Sequence, residues 1–155
     1  MKYDDASWHY GGDFPKDLPR EAGATHIGMY VAWCLLNDLG SIVDFEPYVK
    51  KFVELKVRKI TPGRFLIDAC DEKFVEQMIS AEGNGFTRVY FEPGTGKYLL
   101  DYERIFVSDG SSLYHVPDTW ESFDKIAPII EKRFKCWTKH GSVEEPVRKW
   151  WRFWA

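Results

Sequence analysis

Residues 25–39 read THIGMYVAWCLLNDL, and the run from Ile27 to Leu36 carries no charged side chain. On a helical wheel its apolar and aromatic residues point to every side. A helix of that kind cannot lie on a surface, so it is either the hub of a core or a membrane segment. A membrane span needs about twenty apolar residues, and this run is about half that. The stretch therefore predicts a buried central helix over about 25–39, with Thr25 as its N-cap and Gly40 as its left-handed stop. At ~1.5 Å per residue it is about 24 Å long, roughly the width of a small domain. The rest of the chain is expected to pack around it.

At 155 residues, a single domain spanning 1–155 is expected, large enough to hold a core without covalent staples. Cys34, Cys70 and Cys136 are odd in number, far apart and without a CxxC pair. That pattern suits reduced thiols in the cytoplasm better than disulfides or a zinc site. The opening MKYDDASWHY has no apolar signal core, which also points to a cytoplasmic protein. Charge is unevenly spread. Residues 1–124 hold 13 Lys and Arg against 21 Asp and Glu, a formal −8, while 125–155 hold 8 against 3, a formal +5. Phosphate binding needs clustered Lys and Arg, so an acidic body argues against a nucleic-acid partner. It suits a basic protein partner, and it equally serves solubility alone.

Outward from the central helix, residues 1–20 contain Gly11, Gly12, Pro15 and Pro19 and show no helical period. Tyr3, Trp8, Tyr10 and Phe14 are too many rings for a loose tail, so an ordered N-terminal loop is expected, its rings folded back on the core. Downstream, a helix from Asp44 to about Val57 would bury Phe45, Tyr48, Val49, Phe52 and Val53, with Lys50, Lys51 and Glu54 facing water. Thr61-Pro62 is a helix start, with a break or bend at Asp71-Glu72. Asn84 between two glycines opens a segment in which 86–92, FTRVYFE, reads as helix, its β-branched and aromatic content leaving room for a minor strand. Tyr98–Phe106 reads as helix. Asp118 with Glu121 resembles a capping box for a long helix to about Lys139, with Pro128 as a kink. Gly141 ends it, and a last short helix over 143–155 is expected. The fold class is thus mainly α.

Four patterns bear on chemistry. Gly94-Thr95-Gly96-Lys97 invites a phosphate-loop reading, but the motif wants glycine where Phe91 stands and Ser or Thr where Tyr98 stands. It is a turn. The cysteines are inert where apolar surroundings raise a thiol's pKa, so no catalytic residue is assigned to them. Asp4, Asp5, His9 and Asp13 could gather on the N-terminal loop near His115 and Asp118, a set suited to metal binding or acid–base work. The same residues have a purely structural use, one Asp capping a turn and His9 bonding to backbone. Without ligand spacing, no metal or cofactor is expected. With Trp8 and Tyr10 beside them, these residues form the expected partner surface: Asp4, Asp5, Trp8, His9, Tyr10, Asp13, His115 and Asp118. In the tail VRKWWRFWA, Val147, Trp150, Trp151 and Trp154 form an aromatic stripe flanked by Arg148, Lys149 and Arg152. It is short for membrane binding and suits docking on the domain, or a homodimer through Trp150, Trp151 and Trp154.

MKYDDASWHYGGDFPKDLPREAGATHIGMY, followed by ITPGRFLIDACDEKF, GKYLLDY and SLYHVPDTWESFDKI, resembles a family of small bacterial proteins of unknown function. The resemblance covers roughly residues 1–137 and carries no catalytic residues with it. The stretch after about Lys139 departs from the pattern. In size, acidity and type the family is similar to small cytoplasmic immunity proteins encoded beside polymorphic toxins. That likeness implies a non-enzymatic binding protein that neutralises a cognate toxin by stoichiometric occlusion. The alternative is a small hydrolase using the Asp/His loop with His115, and a membrane-surface protein anchored by the tail is a third class.

Overall fold

The computed structural model describes residues 1–41, 46–108 and 110–145. Among them the chain is mainly α, with six α-helices and one two-stranded antiparallel sheet. The hub is α1 (Thr25–Leu36), in which every residue from Thr25 to Leu35 is buried. Its boundaries differ from expectation. Thr25 caps nothing, because a 3-10 turn over Arg20–Ala24 runs straight into the helix and supplies its first acceptors. The left-handed stop falls on Asp38, at φ 61°, where an Asp is tolerated better than most residues. Gly40 instead forms an isolated bridge to Ile79.

Two helices hold the first half of the core. α2 (Glu46–Lys56) lies on α3 (Pro62–Cys70), with Tyr48 edge-on to Phe65 at 5.6 Å between ring centres. The buried face of α2 is Tyr48 and Leu55, with Phe52 half-buried. Val49 and Val53, expected inside, are exposed, and Lys51 reaches Asp68 of α3 at 3.5 Å. The period is helical as read, but the face is rotated toward the Lys51–Asp68 pair. The expected cap Asp44 and the neighbouring Phe45 lie outside the described residues.

The α1–α3 crossing brings backbone close to backbone. A methyl group placed on Gly28 would stand 2.5 Å from the Pro62 carbonyl oxygen and 2.7 Å from the Gly63 Cα. Asp118 closes this corner. Its carboxylate accepts from the Thr61 hydroxyl at 2.5 Å and from the backbone N–H of Gly63 and Arg64 at 2.9 and 3.0 Å. Those N–H groups are orphans of the first turn of α3, where a carboxylate also meets the positive end of the helix dipole. Asp118 therefore caps α3 rather than the long helix it precedes. α6 (Trp120–His140) is capped by Thr119, which accepts from the Ser122 N–H at 3.1 Å, and it ends at Gly141 with φ 68°.

The remaining elements close around α1. Asp71 and Glu72 both adopt positive φ (50° and 60°), which turns the chain from α3 into β2 (Lys73–Val75). β2 pairs with β1 (Lys2–Asp5), Asp4 opposite Phe74 and Asp5 opposite Lys73. The stretch 1–20 is thus a strand, a 3-10 turn over Ala6–His9 and then a loop, rather than loop throughout. α4 (Ala81–Tyr90) starts at Ser80, whose hydroxyl accepts from the Gly83 N–H, and includes residues 86–90 as helix. Asn84 sits inside it, donating to the carbonyls of Glu76, Ile79 and Ser80. α5 (Tyr98–Phe106) follows the Pro93–Gly96 turn. Tyr90 of α4 and Arg133 of α6 both donate to buried Asp101 of α5, at 2.8 to 3.0 Å. One carboxylate thereby ties three helices. After Gly141 the chain bends through Ser142–Glu144, and most of the short helix expected over 143–155 falls outside the described residues. Val147, Trp150, Trp151, Trp154 and their basic neighbours lie outside the described residues.

Candidate functional site

Asp4 is a charged residue in a strand, and burial of a charge demands partners. Tyr3 anchors that strand, its ring 4.9 Å from Phe74 and its hydroxyl donating to Asn84 at 2.5 Å. The pleat then turns Asp4 inward against α1. Next to it, Asp5 shapes the turn. Its carboxylate accepts from the Ser7 N–H (3.0 Å) and hydroxyl (2.6 Å), capping residues 6–9 and curling His9 back over Asp4. His9 Nε2 lies 2.9 Å from Asp4 Oδ1, and His9 Nδ1 lies 2.9 Å from the Tyr114 hydroxyl. From the other side, the first turn of α1 brings His26. Its Nε2 is 3.8 Å from Asp4 Oδ2, beyond hydrogen-bond range, and its ring stands edge-on to His9 at 4.7 Å.

Burial alone would raise the Asp4 carboxyl pKa, but the two imidazoles beside it outweigh that and hold it at about 2. Asp4 is therefore an acceptor only. His9 Nε2 must donate to it, and in the neutral tautomer with that proton Nδ1 accepts from the Tyr114 hydroxyl. Burial, with the Asp4 charge, raises the Tyr114 pKa and keeps that hydroxyl protonated. His26 is 1% exposed, and burial lowers its pKa against the opposing pull of Asp4. Among the described residues neither of its ring nitrogens has a hydrogen-bond partner. An imidazole sealed in a core with both nitrogens unmet is costly, on the order of 1–3 kcal/mol per lost bond.

The partner surface expected from sequence is divided by the fold. Asp4 and His9 meet, but with His26 and Tyr114. Asp5 is spent on the turn and on Lys2, and Asp118 on α3. Trp8 stands 56% exposed with the Lys2 ammonium 4.6 Å above its ring. Tyr10 donates to Glu72, and Asp13 lies exposed on the loop. His115 bonds to Ser112 and comes within 3.6 Å of Asp17. His115 and Asp118 line a separate groove of about 370 Å³ with Leu18, Glu21, Ala22, Ile67 and Val116, and Tyr114 borders both places. His26 is not among the residues that the sequence pattern points to. The available signal was an imidazole within an otherwise uncharged, fully apolar helix.

The thiols are remote from this chemistry. Burial pushes both Cys34 and Cys70 up to about 12, so neither is a thiolate near neutral pH.

A family model described as a domain of unknown function, DUF7832, matches residues 2–116. The chain belongs to this family. The DUF7832 match takes in Asp4, His9, His26 and Tyr114, whereas Asp118 and α6 lie beyond it. No curated protein and no solved structure matches the chain. No helix among the described residues is long and apolar enough to cross a membrane.

Proposed function

We propose that this member of the DUF7832 family is a non-enzymatic binding protein, an immunity protein that occludes a cognate, cytoplasm-acting toxin in a one-to-one complex. The observation that carries this reading is the groove between the 18–25 segment, α3 and residues 114–118. Its floor is apolar (Leu18, Ala22, Ile67, Val116), and exposed Glu21 and the nearby Asp17 bring negative charge to its edge, while Arg64 in its lining is paired with Asp68 at 2.8 Å. An apolar centre with an acidic rim suits a basic polypeptide, the rim speeding encounter and the centre setting residence time. Exposed Trp8 supplies a further anchor of the type enriched in interface hot spots. The acidic body, −8 over residues 1–124, supports the same sign of partner.

The hydrolase reading retains one observation in its favour, the Asp4–His9–Tyr114 chain of hydrogen bonds, which resembles an oriented general base. Calorimetric titration against the purified toxin encoded beside this protein separates the two. Occlusion gives saturation near one to one. Asp17→Lys and Glu21→Lys should slow association without unfolding the protein, with larger losses as salt is lowered because screening weakens. Rescue at a few per cent of the toxin concentration, with no stable complex, overturns occlusion.

A further inference from the structure

We propose that Asp4, His9 and His26 form a binding site for a late first-row divalent metal ion of the zinc class. Each of the three offers one ligand atom within 4.8 Å of the others, and the nitrogens that face the Asp4 carboxylate are Nε2 of His9 and Nε2 of His26. Tetrahedral zinc at ~2.0–2.1 Å from each donor places donors about 3.3 Å apart. The separations to the Asp4 carboxylate are of that order, 2.9 Å from His9 Nε2 to Oδ1 and 3.8 Å from His26 Nε2 to Oδ2, so each oxygen faces one imidazole. Side-chain adjustment that closes the set from within 4.8 Å toward that spacing brings it to ligand geometry.

Two features point to a ligand rather than to a packed polar core. His26 is buried in the most apolar helix of the molecule, with no hydrogen-bond partner among the described residues, yet its Nε2 is aimed at Asp4. A metal ion gives that lone pair a partner. The second feature is Tyr114. With Nε2 of His9 committed to the ion, the ring proton moves to Nδ1 and donates to the Tyr114 oxygen, 2.9 Å away. The tyrosine hydroxyl rotates from donor to acceptor, so no net proton leaves His9. Outer partners of this sort fix the tautomer and orientation of ligating histidines. Two imidazoles and one carboxylate are the donor set of borderline cations, softer than the all-oxygen cages of calcium and magnesium. Three protein ligands leave a fourth position for water, which reaches the site past half-buried His9.

The test uses tag-free full-length protein and cobalt(II) as the spectroscopic probe, with zinc(II) displacing it. One equivalent should bind, with the intense visible bands of a tetrahedral site, and zinc should abolish them stoichiometrically. His26→Leu, matched in bulk and apolar, should keep the fold by circular dichroism and lose at least about 100-fold in affinity; Asp4→Asn should do the same. Tyr114→Phe keeps all three ligands and should lose about tenfold, the lower end for an outer partner. A site on the surface histidines His115 or His140 would survive His26→Leu, and that result overturns the proposal. Absence of one-equivalent cobalt uptake also overturns it, and then a buried water becomes the simpler partner for His26 and the nearby unpaired Tyr102 hydroxyl. Neither result depends on a toxin, so the binding-protein reading stands or falls separately.

Discussion

The two ends of α1 are built on opposite principles. Toward its C-terminus, Tyr30 and Trp33 sit in a dry aromatic cluster, Trp33 against Phe86 at 5.9 Å and Phe134 at 5.5 Å, and Tyr30 against Phe91 at 4.6 Å. The hydroxyls of this cluster are answered, although that of Tyr48, beside Leu35 and Leu36, has no partner among the described residues. Tyr30 meets Thr87, Tyr98 donates to the His26 carbonyl, and Tyr90 donates to Asp101. At the N-terminal end the same helix offers an imidazole with neither nitrogen bonded, beside a carboxylate and a second imidazole. One end spends its residues on packing density. The other holds a polar group at a cost that packing does not explain, and such departures cluster at sites.

The contrast makes graded predictions about stability. The largest effect belongs to the aromatic end. Trp33→Ala should cost about 3–5 kcal/mol in chemical denaturation, the range for emptying a large buried ring. A loss below about 1 kcal/mol would mean that this end is not the core. Gly28→Ala comes next. Its methyl meets backbone atoms of Pro62 and Gly63 that cannot rotate away, so α1 and α3 must separate. Overpacking of this kind costs about 1–3 kcal/mol. A neutral result would show that the α1–α3 crossing is looser than the close approach of Gly28 to Gly63.

The buried helix was legible because no charge interrupts residues 27–36, a signal that survives any choice of neighbours. Its ends were not. Thr25 looks like a cap only if nothing helical precedes it, and the 3-10 turn over 20–24 removes that condition. Asp118 fits a capping box in sequence, yet it serves α3, whose Thr61-Pro62 start was legible, because in space α3's orphan N–H groups lie in front of it. The strand at 2–5 was unreadable from KYDD, since two aspartates disfavour strands and its partner β2 is about seventy residues away. That pairing is what delivers Asp4 to His26. A site assembled by two short strands and the first turn of a helix leaves no spacing motif, so Asp4 and His9 stand out in the sequence by their clustering while His26, isolated in an apolar run, does not.

The smallest expected effect falls at the polar end, and it decides whether the comparison holds. His26→Leu removes a buried side chain of similar bulk, as Trp33→Ala does not, and replaces an unmet imidazole with apolar surface. If both nitrogens lack partners, the substitution deletes a desolvation cost of roughly 1–3 kcal/mol for each. Against that stands whatever attraction His26 has for Asp4 across 3.8 Å, which His9 largely replaces through its 2.9 Å bond. In metal-free protein, with chelator present, the unfolding free energy should therefore be unchanged within about 1 kcal/mol, or rise. The same measurement with zinc at a hundredfold excess over its dissociation constant should stabilise the parent protein by about 2.7 kcal/mol and leave the variant unmoved. A loss above about 2 kcal/mol in chelator would place His26 with Trp33 as a packing residue, and the two ends of α1 would then follow one principle.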